Sequence, residues 1–493
     1  MWERLGEGVF QITKLIPKMN LDNNITGEVF VHEVTDACTP IEAFCRFVSN
    51  TNLFFLDSAL PVKGISRYSF LGFNPFLIMK TKHSKIILMD KYGVIENEGN
   101  PFEHLRELLK RFSLKNTIDS IPFQCGAVGY FGYDLRHFIE KLPARTIDDI
   151  GLPDMYMGFY DTIVSYDNLL GKCYVIGVDF GFDNTLQGKM EQVANVLCSK
   201  SAASFESKKH ESDQNITESL RFNFTKELYI DAIRRIKDYI TAGDVYQVNL
   251  SQRIQTDIDT LPHELYLRLR SVNPAPFSCY LTFDDVAIIS SSPERFLNTH
   301  ARHAQTRPIK GTRPRGKDAT TDENMKQALL SSPKDDAELT MIIDLERNDF
   351  GRVCDYGSVR VVERKVLETY PTVHHLVSTI EGYLHERYDL IDLLKATFPG
   401  GSITGAPKIR SMQIIDELEP IQRGVYTGAI GYIGFNGDTD LNIAIRTFVM
   451  KDKTVYFHVG SGIVADSNEE EEYEETLHKA KGLIDTLKMC NLR

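Results

Sequence analysis

Near its C-terminal end the chain reads GAIGYIGF at Gly428–Phe435, NIAIRTFV at Asn442–Val449 and VYFHV at Val455–Val459. Each run is short and apolar, is rich in β-branched or aromatic residues, and therefore predicts a strand. Residues 469–488 then predict a closing helix. Along the whole chain, predicted strands and helices alternate irregularly. This pattern favours a mixed α+β fold over a doubly wound parallel sheet.

A change in composition divides the chain. Residues 199–221 are polar and rich in serine, and we interpret them as a flexible linker or a long surface excursion. An amphipathic helix is predicted directly after them, between Thr225 and Gly243. We therefore expect an N-terminal domain of residues 1–198 and a C-terminal domain of residues 222–493.

Size, charge and cysteine content limit the class of protein. The chain has 493 residues, of which 42% are hydrophobic and 25% are charged, as expected for a globular protein with more than one lobe. The net charge of −12 argues against binding of nucleic acid or of an anionic membrane. The eight cysteines are dispersed, without a Cys-x-x-Cys pair, and we interpret them as reduced core residues of a cytoplasmic protein. The sequence shows no signal-peptide core and no apolar run of membrane-spanning length.

Lys310, in the string RPIKGT that begins at Arg307, is the first candidate for chemistry. A lysine amine attacks carbon only when it is neutral, and the charges of Arg307, Arg313 and Arg315 would lower its pKa. Glu294, sixteen residues upstream, could deliver a proton. An amine nucleophile and an acid suggest displacement of a poor leaving group such as hydroxide. An ordinary solvated loop is the alternative.

Two pairs of acidic residues have helical spacing. Asp335 and Glu338 are three residues apart on one predicted helix, and Glu472 and Glu475 are three apart on the closing helix. Each pair therefore shares one helix face. If the two faces meet, they could bind a hard divalent cation, and Mg²⁺ is the natural candidate when substrate carboxylates complete its shell. Lys479, on the face of Glu475, could neutralise such a carboxylate; a solvated acidic surface is the alternative.

Other polar residues suit a ligand that carries carboxylates. The run GGSITGAPK at Gly400–Lys408 fails the P-loop pattern, yet it leads into a helix whose backbone amides could bind an anion. Arg446 lies among apolar strand residues, so it should pair with either a substrate carboxylate or a structural acid. A turn at Gly460–Gly462 would allow close backbone approach. Taken alone, His375 is more typical of a structural histidine, and Gln247 cannot deprotonate water.

Together these strings resemble the chorismate-utilising enzymes, which include the large subunits of anthranilate and aminodeoxychorismate synthases and the isochorismate and salicylate synthases. The resemblance covers nearly all of residues 225–485 and, less distinctively, the N-terminal part. It implies a large fold of antiparallel sheets with a sandwich-like core and surrounding helices, as in anthranilate synthase large subunits. The strings that carry it are GDVYQ at 243–247, SPERF at 292–296, DLERND at 344–349, GAPK at 405–408, GSGIV at 460–464, ET at 475–476 and KA at 479–480.

The resemblance also implies a role for each candidate residue. The ring carboxylate of chorismate would lie at an Mg²⁺ ion held by Glu338 and Glu475, with Asp335 and Glu472 beside them. Glu294 would be the general acid for loss of the 4-hydroxyl group. The residues implied around the substrate are Gln247, His375, Ser402, Arg446, Gly460, Gly462 and Lys479.

Two positions separate the chemistries within this family. Isochorismate and salicylate synthases carry a lysine base where this chain has Gln247, so water addition is not expected. Anthranilate synthases typically read PIAGT, whereas PIKGT at residues 308–312 resembles the large subunits of aminodeoxychorismate synthases. We therefore expect amination of chorismate at C4 through a covalent bond to Lys310, in the synthesis of p-aminobenzoate and folate, with ammonia from a separate glutaminase subunit. Anthranilate formation and a non-catalytic scaffold are the alternatives.

A tryptophan site is also implied by the resemblance. Related subunits bind tryptophan at a Leu-Leu-Glu-Ser motif and at an Asn-Pro-x-Pro string. The first reads FLDS at residues 55–58, and the second is kept as NPAPF at residues 273–277. Ordinary strand and turn residues are the alternative. The candidate residues are Asp57, Ser58, Asn273, Pro274 and Phe277.

Overall fold

The computed structural model describes residues 24–182, 184–199, 216–371 and 373–490. Within these ranges the chain forms two large sheets, one of 13 strands and one of 12, with helices packed around them. Among the described strands every pairing is antiparallel except the short one between Ile25–Gly27 and Phe112–Leu114. The mixed α+β fold of antiparallel sheets expected from the sequence is confirmed.

The strands are numbered in chain order. Those before residue 200 are β1 (Ile25–Glu33), β2 (Phe54–Asp57), β3 (Tyr68–Gly72), β4 (Leu77–Lys82), β5 (Lys85–Asp90), β6 (Gly93–Glu98), β7 (Phe112–Leu114), β8 (Gly126–Phe131), β9 (Met155–Tyr160), β10 (Thr162–Asp167) and β11 (Lys172–Asp179). Those after residue 215 are β12 (Arg221–Phe222), β13 (Gln247–Asp257), β14 (Phe277–Phe283), β15 (Val286–Ser292), β16 (Arg295–His300), β17 (His303–Arg307), β18 (Ile309–Pro314), β19 (Arg360–Thr369), β20 (Val373–Tyr383), β21 (Gly405–Ala406), β22 (Ala429–Gly434), β23 (Thr439–Ile443), β24 (Thr447–Lys451) and β25 (Thr454–Ile463).

The helices of the described ranges surround the sheets. They are α1 (Pro40–Phe47), α2 (Pro101–Arg111), α3 (Leu186–Cys198), α4 (Ile216–Ser219), α5 (Lys226–Thr241), α6 (Pro262–Val272), α7 (Ala319–Leu330), α8 (Pro333–Gly351), α9 (Leu390–Thr397), α10 (Lys408–Leu418) and α11 (Glu469–Leu487), with 3₁₀ turns at Tyr133–Phe138 and Gly401–Ile403. None of these helices is long and apolar enough to cross a membrane.

Each sheet contains strands from both predicted domains. The larger sheet has the order β12-β13-β25-β24-β15-β14-β2-β3-β10-β11-β1-β7, with β21 beside β13. The smaller sheet has the order β18-β20-β17-β16-β23-β22-β8-β9-β4-β5-β6, with β19 beside β20. The N-terminal and C-terminal parts are thus joined at the β2–β14 and β8–β22 pairs. The predicted domain division stays a prediction, and residues 200–215 lie outside the described ranges.

The two sheets pack face to face around one extended apolar core. Phe70 of the larger sheet contacts Tyr432 of the smaller one, with ring centroids 5.6 Å apart. Tyr156 and Phe283 stack across the same space at 4.5 Å. This burial of aromatic surface holds the sheets together.

A buried ion pair also ties the two parts of the chain. Arg136, in the first 3₁₀ turn, donates to Asp416 on α10 at 3.0 Å, and the two side chains are 1% and 0% exposed. We expect Asp416→Ala to lower the free energy of unfolding by about 3–5 kcal/mol, because it leaves the guanidinium buried without its carboxylate. Urea unfolding measures the loss. The matched control is Asp231→Ala, which removes an exposed ion pair to Arg234 and should cost less than about 1 kcal/mol. Equal losses would contradict the expectation.

Candidate functional site

The candidate site is centred where two neighbouring strands leave one sheet and enter the other. The chain passes from β15 of the larger sheet to β16 of the smaller sheet through Pro293 and Glu294. It makes the reverse passage from β23 to β24 through Ala444–Arg446. The two crossings are hydrogen bonded, since Ile443 N donates to Glu294 O at 3.0 Å and Ser291 N donates to Arg446 O at 3.1 Å. The fold therefore places Glu294 and Arg446 between the sheets.

This crossing corrects one sequence-based expectation. Asn442–Val449 was expected to form a single strand, but it is divided between β23 and β24. Arg446 itself has a φ of 50°, a left-handed conformation that ends the extended run. The apolar pattern of the sequence could not reveal the break, because both flanking segments are strands.

Glu294 is buried with only 4% of its surface exposed. Ser402 Oγ donates to its Oε1 at 2.6 Å, and Ile309 N donates to the same oxygen at 3.3 Å. Burial raises the pKa of the Glu294 carboxyl to about 7, against the lowering effects of the Ser402 hydrogen bond and the Lys310 charge. A carboxyl that is partly protonated at neutral pH is suited to general acid catalysis.

Lys310 lies on β18 beside this carboxyl. Its Nζ donates to the backbone oxygen of Ser402 at 3.0 Å. Ser402, in the 3₁₀ turn at Gly401–Ile403, thus contacts the amine through its carbonyl and Glu294 through its hydroxyl. Burial lowers the pKa of the Lys310 amine, the charge of Glu338 opposes this, and the charge of Lys479 adds to it. The amine therefore reaches its neutral, nucleophilic form more easily than a solvated lysine.

The cause that the sequence suggested for this lowered pKa is wrong. Arg307, Arg313 and Arg315 were expected to repel the ammonium form of Lys310. Each of these arginines is instead paired with its own acid. Arg307 pairs with Glu368 at 2.8 Å, Arg313 with Asp335 at 2.8 Å and Arg315 with Asp322 at 2.7 Å. Removal from water, which no local sequence pattern shows, is the dominant effect.

His375 is buried on β20, where it is the register partner of Thr312 on β18. Its Nδ1 hydrogen bonds to Thr312 Oγ1 at 2.8 Å, and its Nε2 has no hydrogen-bond partner among the described residues. Burial lowers the pKa of the ring to about 3, and the charge of Arg446 adds to this effect. The imidazole is therefore neutral, with one nitrogen available to a ligand. A purely structural histidine would normally have both nitrogens satisfied.

Arg446 is half-buried and forms no ion pair with any carboxylate in the described ranges. Burial lowers the pKa of its guanidinium, and the charges of Tyr370 and Glu294 oppose the shift. The sequence left open whether this arginine pairs with a structural acid or with a ligand. The lack of a protein carboxylate favours a ligand that brings its own, held in the bidentate manner that suits the guanidinium.

Gly460 and Gly462 lie inside strand β25, which corrects the expected turn. They pair with Ser251 and Asn249 of β13. A Cβ atom on Gly462 would lie 2.2 Å from Nε2 of Gln247, so a larger residue would displace this amide. Gln247 is fully buried, and neither of its amide atoms has a hydrogen-bond partner among the described residues.

The two predicted acidic helix faces do meet. Lys334 of α8 lies 3.8 Å from Glu472 of α11. Burial raises the pKa of the Glu338 carboxyl, with the charges of Asp335 and Glu475 adding to the effect and two lysines opposing it. The first two turns of α8 and α11 therefore bring carboxylates from both helices to one place.

The donor set suits an Mg²⁺ ion that shares its shell with a substrate. Glu338 has no hydrogen bond or ion pair in the described chain, and Glu475 pairs only with Lys479, at 2.7 Å. Asp335 forms an ion pair with Arg313. Glu472 accepts a hydrogen bond from Ser467 Oγ at 2.6 Å. No group of three or more acidic, histidine or cysteine side chains that could hold a metal alone is found in the described part of the chain. Mg²⁺ commonly uses one or two carboxylates and completes its shell with water and substrate, so the residues fit, and the ion stays a prediction.

Lys479 connects this acidic group to the glycines of β25. Its Nζ donates to Gly460 O at 3.0 Å in addition to its ion pair with Glu475. Its charge also lowers the pKa of Glu475 and of Lys310. The structure thus brings Lys310, Glu338, Glu475 and Lys479 within electrostatic reach of one another.

The two strings of the candidate tryptophan site are adjacent. Asp57 is the register partner of Ser278, next to Phe277. The Asp57 carboxylate accepts hydrogen bonds from Tyr266 at 2.8 Å and from Arg270 at 2.6 Å. Protein groups therefore already engage this carboxylate, and tryptophan binding stays a prediction.

Glu346 is a buried acid near the site that the sequence did not single out. Thr306 Oγ1 donates to its Oε2 at 3.0 Å. Burial raises the pKa of Glu346 to about 8, with the charge of Glu294 adding to the effect. One signal could have revealed it. Glu346 falls at helical spacing from Leu339, Ile342 and Ile343, on the buried face of α8, where an acid is unusual.

Comparison with known proteins identifies the class to which this fold and site belong. Residues 63–485 match the family of chorismate binding enzymes. The chain is 38% identical over 474 residues to anthranilate synthase component 1 of Acetivibrio thermocellus, covering 93% of this chain and 94% of that protein. It is also 38% identical over 415 residues to aminodeoxychorismate synthase component 1 of Bacillus subtilis, covering 84% and 88%. The chain therefore belongs to the chorismate binding enzymes.

A solved structure agrees with this assignment. The crystal structure of anthranilate synthase component I from Streptococcus pneumoniae is similar over 91% of this chain and 98% of that chain, with a TM-score of 0.75 and 33% identity. The resemblance inferred from the sequence strings is confirmed. Relatives with the two component 1 names are equally similar to this chain, so identity does not choose between their reactions.

Proposed function

We propose that this protein aminates chorismate at C4 and forms 4-amino-4-deoxychorismate. The observation that carries the proposal is that Lys310 Nζ and the Glu294 carboxyl both hydrogen bond to the same residue, Ser402. This places an amine with a lowered pKa beside a carboxyl with a raised one. Such a pair suits attack on carbon coupled to loss of a protonated hydroxyl group.

The reaction has two balanced steps. In the first, the neutral Lys310 amine bonds to ring C2, both ring double bonds shift, and the C4–O bond breaks as Glu294 protonates the departing hydroxyl to water. In the second, ammonia bonds to C4, both double bonds shift back, and the C2–N bond to Lys310 breaks. The Glu294 carboxylate then takes the extra proton from the new ammonium group. Both residues return to their starting forms, and the enolpyruvyl group is retained.

The other polar residues would bind and orient the substrate. The Arg446 guanidinium, which pairs with no carboxylate in the described part of the chain, suits the enolpyruvyl carboxylate. The Lys479 ammonium, next to the backbone of Gly460, would support it. His375 Nε2 is available to the ring. Gln247, which cannot serve as a base, disfavours activation of water as a competing nucleophile.

An Mg²⁺ ion, when bound by Glu338 and Glu475, would neutralise the ring carboxylate. Glu338→Gln should weaken Mg²⁺ binding by on the order of tenfold or more, because one of two anionic ligands is lost. Calorimetric titration of Mg²⁺ measures this without turnover. Glu474→Gln, on an exposed residue of α11 next to Glu475, is the control. Unchanged Mg²⁺ affinity in Glu338→Gln would show that the ion is bound elsewhere.

Ammonia has to be supplied from outside this chain. The family match covers residues 63–485 of this chain, and the relatives are named component 1, which implies a second component in those proteins. We propose a separate glutaminase as that partner. Ammonium salt should replace it in an assay of this chain alone.

Anthranilate formation is the second candidate, because relatives named anthranilate synthase are as similar as those named aminodeoxychorismate synthase. Lys310 favours the first reaction, since PIAGT rather than PIKGT is typical of anthranilate synthases. The test is to identify products from chorismate, Mg²⁺ and ammonium chloride by chromatography and mass spectrometry. 4-Amino-4-deoxychorismate without pyruvate supports the proposal. Anthranilate with an equal amount of pyruvate would overturn it in favour of the second candidate.

A further inference from the structure

Tyr370 is a buried tyrosine that takes no part in the proposed reaction steps, and it lies beside His375. Its ring meets the His375 ring edge to face, with centroids 5.5 Å apart and ring planes at 80°. Tyr370 is 5% exposed, yet it belongs to none of the apolar clusters that the described residues form in the core. Packing in the apolar core therefore does not explain why this side chain is buried.

Polar contacts hold Tyr370 in place independently of His375. Its hydroxyl donates to Glu368 Oε2 at 2.8 Å, and the other oxygen of that carboxylate accepts from Arg307 Nη2 at 2.8 Å. Its backbone N donates to Val373 O at 2.8 Å, and its backbone O accepts from Arg315 Nη1 at 3.1 Å. The Tyr370 ring is thus a fixed surface against which another side chain can be oriented.

Two contacts restrain the His375 ring. Thr312 Oγ1 and His375 Nδ1 form a hydrogen bond of 2.8 Å, but one bond at one ring atom leaves the ring plane free to turn. The perpendicular contact with Tyr370 restricts that plane, because aromatic pairs favour edge-to-face geometry. Lys310 is the register partner of Leu376, the residue after His375, so the restrained imidazole lies close along the strands to the proposed nucleophile.

Tyr370 is also within electrostatic reach of Arg446, the arginine proposed to bind the enolpyruvyl carboxylate. Burial raises the pKa of the Tyr370 hydroxyl, the Glu368 carboxylate adds to this effect, and the charges of Arg307 and Arg446 oppose it. The hydroxyl is therefore neutral, and it donates its hydrogen bond to Glu368. Tyr370 is thus suited to orient neighbouring side chains and not to bind substrate through its own hydroxyl.

We propose that Tyr370 is a positioning residue, which acts on chorismate by holding the plane of the His375 imidazole in the proposed ring site. The inference rests on the proposed function in taking His375 as a residue that contacts the substrate ring. A tyrosine that serves only to fold the hairpin of β19 and β20 is the alternative. The two roles differ in one measurable respect, since a positioning residue loses its effect when the side chain that it positions is removed.

The test is a double-mutant cycle on kcat/KM for chorismate, measured as chorismate consumption by the full chain with Mg²⁺ and ammonium chloride. Tyr370→Leu removes the ring and should lower kcat/KM about tenfold, because a misoriented substrate-positioning group is costly. In the His375→Ala background the same substitution should cost about twofold or less. Tyr370→Phe keeps the ring and should bring kcat/KM back to within about threefold of the wild type. Tyr356→Leu, at an exposed tyrosine after α8, is the matched control and should leave kcat/KM unchanged.

The outcomes separate the inference from the proposed function. Loss by the same factor in both backgrounds, or no loss in either, overturns the inference and leaves Tyr370 a role in the fold alone. A loss in Tyr370→Phe as large as that in Tyr370→Leu assigns the effect to the hydroxyl and also overturns it. A coupled loss with anthranilate as product supports the inference and overturns the proposed function, whereas a wild-type protein that consumes no chorismate overturns both. If Tyr370→Leu does not fold, Tyr370→Met takes its place in the cycle.

Discussion

Replacing Lys310 by alanine should reduce formation of 4-amino-4-deoxychorismate by on the order of 10³-fold or more, as expected for loss of a covalent nucleophile. Without the amine, the proposed covalent intermediate that ammonia attacks at C4 cannot form. Chorismate binding should persist, because the proposed carboxylate contacts of Arg446 and Lys479 remain. The measurement is the rate of product formation under saturating chorismate and ammonium.

The fate of chorismate in this variant tests the mechanism further. Ammonia would then bond to ring C2 directly as the 4-hydroxyl group leaves as water, and loss of the C2 proton and of the enolpyruvyl group as pyruvate would give the aromatic ring of anthranilate. We therefore expect a slow residual reaction with some anthranilate and pyruvate in place of the wild-type product. Mass spectrometry of wild-type protein trapped with chorismate in the absence of ammonia should show the adduct on Lys310, and the alanine variant should show none.

Lys317→Ala is the matched control, since Lys317 is exposed and follows the same strand. It should leave the rate unchanged. Lys310→Arg is a second control for charge, because arginine stays protonated and cannot act as a nucleophile. An alanine variant with the rate and product of the wild type would remove the nucleophile role from Lys310.

Much of the fold could be predicted because its elements have regular patterns. The closing helix was expected at residues 469–488 and is found at Glu469–Leu487. The amphipathic helix after residue 225 ends at Thr241, two residues before Gly243, which was expected to stop it. Periodicity and capping are local properties, so they can be seen in a single sequence.

The crossings between sheets could not be predicted in this way. At Arg446 the chain leaves one sheet, and the next strand begins in the other sheet. Two consecutive strands of this kind show the same alternation of side chains as one long strand. Glu294 and Arg446 became site candidates through motif resemblance and an isolated charge, and their proximity follows only from the paired crossings. Likewise, the lowered pKa of Lys310 comes from burial, which depends on the packing of distant elements.

Replacing Glu294 by glutamine should lower the rate by about 10²–10⁴-fold, which is the usual contribution of a general acid. Glutamine has nearly the same shape and can still accept the hydrogen bond from Ser402. The substitution thus removes the proton without opening a cavity. The KM for chorismate should change little, and the loss should appear in kcat.

The pH dependence distinguishes this role from a structural one. The acid must be protonated to act, and burial raises its pKa to about 7, so the wild-type rate should fall as pH rises through that value. The glutamine variant has no such group and should lose this alkaline limb. At low pH the rate should fall for a different reason, since Lys310 becomes protonated and stops being a nucleophile.

Ser402→Ala provides the sharpest check on the assignment. The Ser402 hydroxyl stabilises the Glu294 carboxylate and lowers its pKa. Its removal should raise that pKa and move the alkaline limb to higher pH. The backbone oxygen that accepts from Lys310 remains in this variant. An alkaline limb that persists in Glu294→Gln, or one that stays in place in Ser402→Ala, would assign the titration to another group. Glu346 would then be the next residue to test, because it is also buried and its pKa lies at about 8.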